Sequence, residues 1–287
     1  MRVPVPEMNG IRPFLKRGRE VYVRNYKCMT RRPGARLATS PDSGRRRFVL
    51  AVVSGVAACI NARSLATVAA QEASSALPKS VAGVRLPDTS LALAATDLAR
   101  AACPPFLFNH CMRTYVFGAL FAARDHVTYD EEMIFIAATL HDVGLTTTYA
   151  TPEHSFEMDG ADAAKAFLVS HSVAEARAEL VWNAIALHTS MLAEHQAPQI
   201  ALVGNGAGAD VFGYDLRTLS QDQVQATVSK FPRLSFNQEF RELLIDHCHR
   251  KPFAQRGTWL DVFCRAHNPG VPYGDLDKRL LEARVPE

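Results

Sequence analysis

His110, the adjacent pair His141-Asp142, and Asp210 are the residues whose types and spacing could do chemistry. Imidazole and carboxylate together suit a borderline or hard divalent ion such as Zn²⁺, Fe²⁺ or Mn²⁺. Such an ion activates water for attack on an electrophilic carbon or phosphorus, provided some coordination positions stay open.

These residues must be brought together by helices. A helix rises about 1.5 Å per residue, so from His110 to Asp125 the chain descends roughly 22 Å. Residues 126–129 reverse it, and the climb back to His141 covers roughly 16 Å. An antiparallel pair of these lengths returns His141 to the level of His110. His141 and Asp142 point about 100° apart on a helix, but both reach one ion if the helix ends there. For Asp210 the spacing is permissive only, because residues 189–197 could span up to about 30 Å.

Almost every stretch of the body reads as helix, and no alternating strand pattern appears. The spacing predicts helices over 91–102, 108–125 and 130–141, with Pro104-Pro105 between the first two and Gly144 as the stop of the third. Further helices are expected over 160–169, 173–188, from Pro198 onward, 221–230, 236–250, 258–266 and 275–283. Capping boxes are expected at Ser172–Glu175, Ser220–Gln223 and Ser235–Gln238. The fold class is therefore all-α, one compact helical domain over 87–287 with its core at 105–215, after a linker at 71–86. Phe117, Phe121, Phe135 and Phe240 belong to the core.

Charge is unevenly spread. Residues 1–70 hold 14 Lys and Arg against 3 Asp and Glu, whereas the rest hold 18 against 26. The acidic body argues against a nucleic-acid partner and for a small-molecule substrate, with a homo-oligomer left open. No apolar run approaches the roughly 18 residues of a membrane span.

The basic leader, 1–70, contains Ser43-Gly44-Arg45-Arg46-Arg47-Phe48-Val49-Leu50, which reads as a twin-arginine export signal. A short apolar stretch follows, and Val68-Ala69-Ala70 precedes an expected cleavage before Gln71. The expectation is a periplasmic protein, ahead of a lipoprotein anchored at Cys59 or a cytoplasmic one. Translation could start at Met1 or Met29. Cys103, Cys111, Cys248 and Cys264 would remain, to form two disulfides or none.

The pattern of His110, Leu140-His141-Asp142-Val143-Gly144 and Gly206-Ala207-Gly208-Ala209-Asp210 resembles the HD-domain superfamily of metal-dependent hydrolases over about residues 105–215. That resemblance implies a compact helical HD fold and a ligand set of His110, His141, Asp142 and Asp210. Many phosphohydrolases of the superfamily carry Lys or a catalytic Glu just after the doublet. Here Gly144-Leu145-Thr146-Thr147-Thr148 stands instead. With Ser155-Phe156-Glu157, Gly160-Ala161 and Ala184-Ile185-Ala186-Leu187-His188-Thr189, the string is similar to the cyanamide hydratase group. The resemblance implies hydration of a small nitrile-like molecule at the metal, with zinc first and iron or manganese as alternatives.

Other residues take roles around that centre. His188 could orient substrate, move a proton or bind a second metal. Glu157 could handle protons or accept from a ligand imidazole, and Asp142 could be both ligand and catalytic. Thr146, His154 and Arg113 are candidates for touching substrate. Arg113 keeps open a phosphohydrolase acting on a small phosphate ester or nucleotide. A non-catalytic, metal-stabilised sensing domain is the third alternative.

Overall fold

A long helix with no polar face is the centre of this protein. The computed structural model describes residues 77–273, all within one compact unit, Asn61–Glu287. The expected leader and export signal, and the helix expected over 275–283, lie outside the described residues. The described chain opens with a two-residue hairpin, β1 (Ser80–Val81) against β2 (Val84–Arg85), and is otherwise helical. The helices are α1 (Ser90–Ala102), α2 (Pro105–Asp125), α3 (Glu131–Leu140), α4 (Phe156–Ser170), α5 (Glu175–Ala186), α6 (Ala201–Phe212), α7 (Gln221–Lys230), α8 (Phe236–Arg250) and α9 (Asp261–His267). The fold is the compact all-α architecture expected, and no described helix is long and apolar enough to cross a membrane.

Pro105 opens α2 at its first turn, where the missing N–H costs nothing. From Phe106 to Ala122 every residue except Asn109 is buried. A helix apolar all round must be wrapped on every side. His126, in the left-handed region (φ 54°), ends it, and Asp130 caps α3 by accepting from the Met133 N–H at 3.2 Å. From Met133 to Leu140, α3 is wholly buried as well.

The closest crossing is between α2 and α6, the most extensive helix pair. It is possible because both backbones lack side chains where they meet. A Cβ at Gly206 would lie 2.0 Å from the Thr114 carbonyl oxygen, and one at Gly118 would lie 2.6 Å from that of Leu202. This contact fixes the register of Asp210 on α6 against His110 and Arg113 on α2.

Gly144 has a different role from the helix stop expected of it. It sits inside a short 3₁₀ turn, Val143–Leu145, where a Cβ would meet the Phe156 carbonyl at 2.1 Å. It allows the turn after the doublet to press on the first turn of α4. Of the three capping boxes, Ser220–Gln223 forms with both halves present. The other two do not, because Ser172 (φ 58°) and Ser235 (φ 59°) are left-handed, whereas a capping hydroxyl needs an extended backbone. Ser172 instead helps close α4, whose Leu168 carbonyl accepts from the Val173 N–H at 3.1 Å. Of the four described cysteines, Cys248 and Cys264 form a single disulfide joining α8 to α9, and Cys103 and Cys111 are free and buried.

The α2–α6 crossing gives a direct test. Gly206→Ala should cost about 3 kcal/mol, the upper part of the usual overpacking range. That is roughly 6–12 °C in Tm for a protein of this size. Gly270→Ala, where a Cβ meets nothing within 4 Å, should leave the melting curve in place.

Candidate metal centre

The antiparallel return of α3 alongside α2 brings His110 and His141 face to face, with Nε2 atoms 3.3 Å apart. Asp142 Oδ2 lies 3.4 Å from His110 Nε2 and 3.3 Å from His141 Nε2. All three side chains are at most 2% exposed. Donors about 2.0–2.1 Å from a tetrahedral ion lie about 3.3–3.4 Å from one another, so these spacings fit a common Zn²⁺-sized ion.

The chemistry of the donors points the same way. His110 Nδ1 donates to Asp210 Oδ2 at 2.7 Å, and His141 Nδ1 donates to the Ala138 carbonyl at 2.8 Å. Each ring is thereby committed to present Nε2 to the centre. Asp142 Oδ2 has no hydrogen-bond partner, although it is buried. An orphaned carboxylate oxygen between two imidazole nitrogens is what a cation would satisfy. Burial raises the Asp142 carboxyl pKa, while His110 and His188 pull it down. Burial lowers the His141 imidazole to about 3, with His110 adding to the effect, so the ring is neutral near pH 7 and able to ligate.

His188 comes in from the end of α5. Its Nδ1 donates to the Ile185 carbonyl at 2.6 Å, and its Nε2 stands 3.7 Å from Asp142 Oδ1. The ring meets His141 edge-on at 4.8 Å. Burial, then His141, lowers its pKa to about 4. Glu157, in the first turn of α4, accepts from Thr189 Oγ1 at 2.8 Å through Oε1, and its buried Oε2 has no partner. Burial raises the pKa of this carboxyl, and the charge of Asp142 adds to the rise. Glu157 therefore sits within electrostatic reach of the centre.

Three expectations need correction. Arg113 is not placed to touch substrate: it is fully buried, donating through Nε and Nη2 to Asp210 and through Nη1 to the Phe231 and Pro232 carbonyls. His154 faces outward, its side chain 48% exposed beside Asp162. Thr146 donates to the Val143 carbonyl at 2.6 Å and caps its own turn. Asp210 is placed otherwise than a ligand set of four would require. It lies behind the His110 ring, and Arg113 and Arg233 bond both its oxygens. Although burial pushes its pKa up, hydrogen bonds from His110 and Arg113 hold it well below the carboxylate range.

Neither Arg233 nor the aromatic wall was marked by any motif or spacing. Phe236 stacks on His110 at 4.9 Å and on Phe240 at 4.8 Å, and the Arg233 guanidinium lies 4.8 Å above its ring. His247 is fully buried behind the doublet turn, accepting from Gln255 Nε2 at 2.8 Å and meeting Phe156 edge-on.

With this geometry in view, the class is a buried His/Asp metal-binding centre in an all-α domain. A family model described as the HD domain matches residues 107–211, which takes in His110, the doublet and Asp210. The match implies metal-dependent, hydrolase-type chemistry. No curated protein matches the chain.

His247 supplies a pH test away from the donors. Burial, with Lys251 and Arg250 nearby, lowers its pKa from 6.5 to about 3. Between those values the unfolded chain binds a proton that the folded one refuses. Stability therefore falls as pH drops below 6.5, by up to about 1.4 kcal/mol per unit. Urea unfolding of metal-free protein at pH 7.5 and 5.5 should show a slope to which His141 and His188, also lowered by burial, contribute alongside His247, and His247→Gln should reduce it by roughly a third.

Proposed function

We propose that this protein is a metal-dependent hydratase or hydrolase of the cyanamide hydratase-like kind, acting on a small uncharged carbon–nitrogen substrate. The observation that carries the proposal is the fate of Arg113. The one cation that sequence reasoning offered to a phosphate is locked against Asp210 and two backbone carbonyls. A phosphate ester brought to His110 would find this arginine already committed. The near-complete burial of His110, His141 and Asp142 also favours a small substrate.

A divalent ion held by His110, His141 and Asp142 supplies Lewis acidity to water and substrate. The chain's own residues handle the protons. Glu157, fixed through Oε1 by Thr189, has Oε2 free to take a proton from the attacking water and return it to the substrate nitrogen. The raised pKa of this carboxyl suits both halves of that transfer. Water adds across the carbon–nitrogen triple bond, with oxygen joining carbon and one proton going to nitrogen, and the remaining hydroxyl proton then moves to nitrogen to leave a carbonyl. With cyanamide the product is urea.

We place the enzyme in the periplasm, on the twin-arginine pattern of the leader. The Cys248–Cys264 disulfide supports an oxidising compartment. Exported material should begin near Gln71, and N-terminal sequencing that finds an intact Met1 in the cytoplasm would overturn this placement.

The metallated protein, offered cyanamide, simple nitriles and an aryl phosphate, should form urea or amide and release no phosphate. Phosphate release without hydration would reverse the assignment. His141→Ala should lose metal and activity together. Glu157→Gln should keep the metal and lose activity by about 10²- to 10⁴-fold, the usual worth of a general acid–base.

A further inference from the structure

We propose that an aromatic groove beside the His110 wall is a second ligand site, and that it takes a small carboxylate carrying one aromatic ring. The site stands outside the metal centre, and it depends neither on the metal nor on the proposed reaction.

The groove lies where the end of α6 meets α8 and the start of α9. Its floor is Phe236 and Phe240, both buried and one turn apart on α8. Phe212, Trp259 and Phe263 stand around them. The hollow measures about 210 Å³. Drug-sized ligands occupy sites of about 300–1,000 Å³, so this one suits a single ring with a short arm. The two floor rings also pack against His110. They stand between the groove and the donors, and none of His110, His141 or Asp142 lines it.

The rim is apolar. Phe212 is 54% exposed and Trp259 is 37% exposed, and their rings meet edge-on with centroids 6.1 Å apart. Aromatic side chains left open around a concavity mark a binding site, not ordinary surface. Rings of this kind receive another ring by offset stacking or edge contact.

Polar groups are confined to one edge. Asn237 and Arg241 line the groove four residues apart, on one face of α8. Asn237 Oδ1 accepts from Arg233 Nη2 at 2.7 Å, which leaves its NH₂ as a donor. Arg241 is exposed and has no ion-pair or hydrogen-bond partner among the described residues. Both groups donate, so the polar end of the ligand is an acceptor. Beside a guanidinium, the fitting acceptor is a carboxylate.

Trp259 supplies the readout. The chain has two tryptophans. The other, Trp182, lies on α5 with its Nε1 bonded to Asp162. The full-length Trp182→Phe chain is titrated with phenylacetate, benzyl alcohol and acetate, followed by fluorescence and calorimetry, both metal-loaded and after chelation. Phenylacetate should bind saturably and perturb Trp259, alike in both forms. Benzyl alcohol and acetate should each bind about 3- to 10-fold more weakly or less. Arg241→Gln should weaken phenylacetate by a similar factor and leave benzyl alcohol unchanged, whereas Phe263→Ala should weaken both. Val262→Ala, 76% exposed and outside the groove, should change nothing. No saturable binding by either method overturns the site. Equal affinity for the alcohol overturns the carboxylate. Binding lost on chelation places the carboxylate on the metal and overturns a separate site. A dimer in sedimentation that Phe263→Ala disperses, with phenylacetate unbound, gives the groove to a second copy and overturns the proposal. Each of these outcomes leaves the proposed function standing.

Discussion

The interaction on which this structure depends is a convergence of like groups that cannot satisfy one another. His110 and His141 face each other through nitrogen atoms 3.3 Å apart, with an unpartnered carboxylate oxygen beside them, out of contact with water. The Nδ1 atoms of both rings are already spent as donors. Lone pairs brought together in a low-dielectric interior are costly unless a positive charge stands between them. The helices therefore have to hold an arrangement that is unfavourable without a cation. They do so with close backbone contacts: Gly206 over the Thr114 carbonyl, and Gly144 over the first turn of α4. Packed this tightly, the donors cannot relax apart.

A second buried charge system sits behind the first. Asp210 gathers Arg113, Arg233 and His110, and the Phe236 ring lies beneath both guanidinium groups while stacking on the imidazole. A buried carboxylate is tolerable only when paired and fully hydrogen-bonded, and this one is both. The consequence for His110 is a fixed ring plane and a fixed tautomer, set from the side away from the centre. Buried pairing of this kind contributes less to stability than to geometry.

The fold and the heart of the site were legible because they depend on local rules. Helix rise and a short turn were enough to bring His141 back to His110, and helix ends placed His188 near the doublet. The opened α4, with Ser155 as its cap, extended the expected helix by a turn and carried Glu157 into the interior. What failed depends on tertiary context. A Ser-x-x-Glu pattern cannot reveal that Ser172 is needed in a left-handed conformation to end the preceding helix. Arg113 and Asp210 are 97 residues apart. Nothing in either neighbourhood shows that the arginine turns inward to a carboxylate instead of outward to a substrate. His154, offered as a candidate for touching substrate, precedes the helix cap and stands half exposed beside Asp162.

The family match ends at residue 211, but the centre does not. Its aromatic wall, Phe236 and Phe240, lies on α8, and Arg233 lies just before that helix. The far end of α8 is tied to the doublet side of the site. Arg250 donates to the Leu145 carbonyl, and Lys251 is buried against Asp159 of α4. The disulfide from Cys248 then anchors the same turn to α9. One helix outside the matched region thus packs against His110 at its start and braces the doublet turn at its end. The ligands alone state which ion-binding chemistry is available. How rigidly they are held follows in part from α8, which stacks on His110 and bonds the doublet turn.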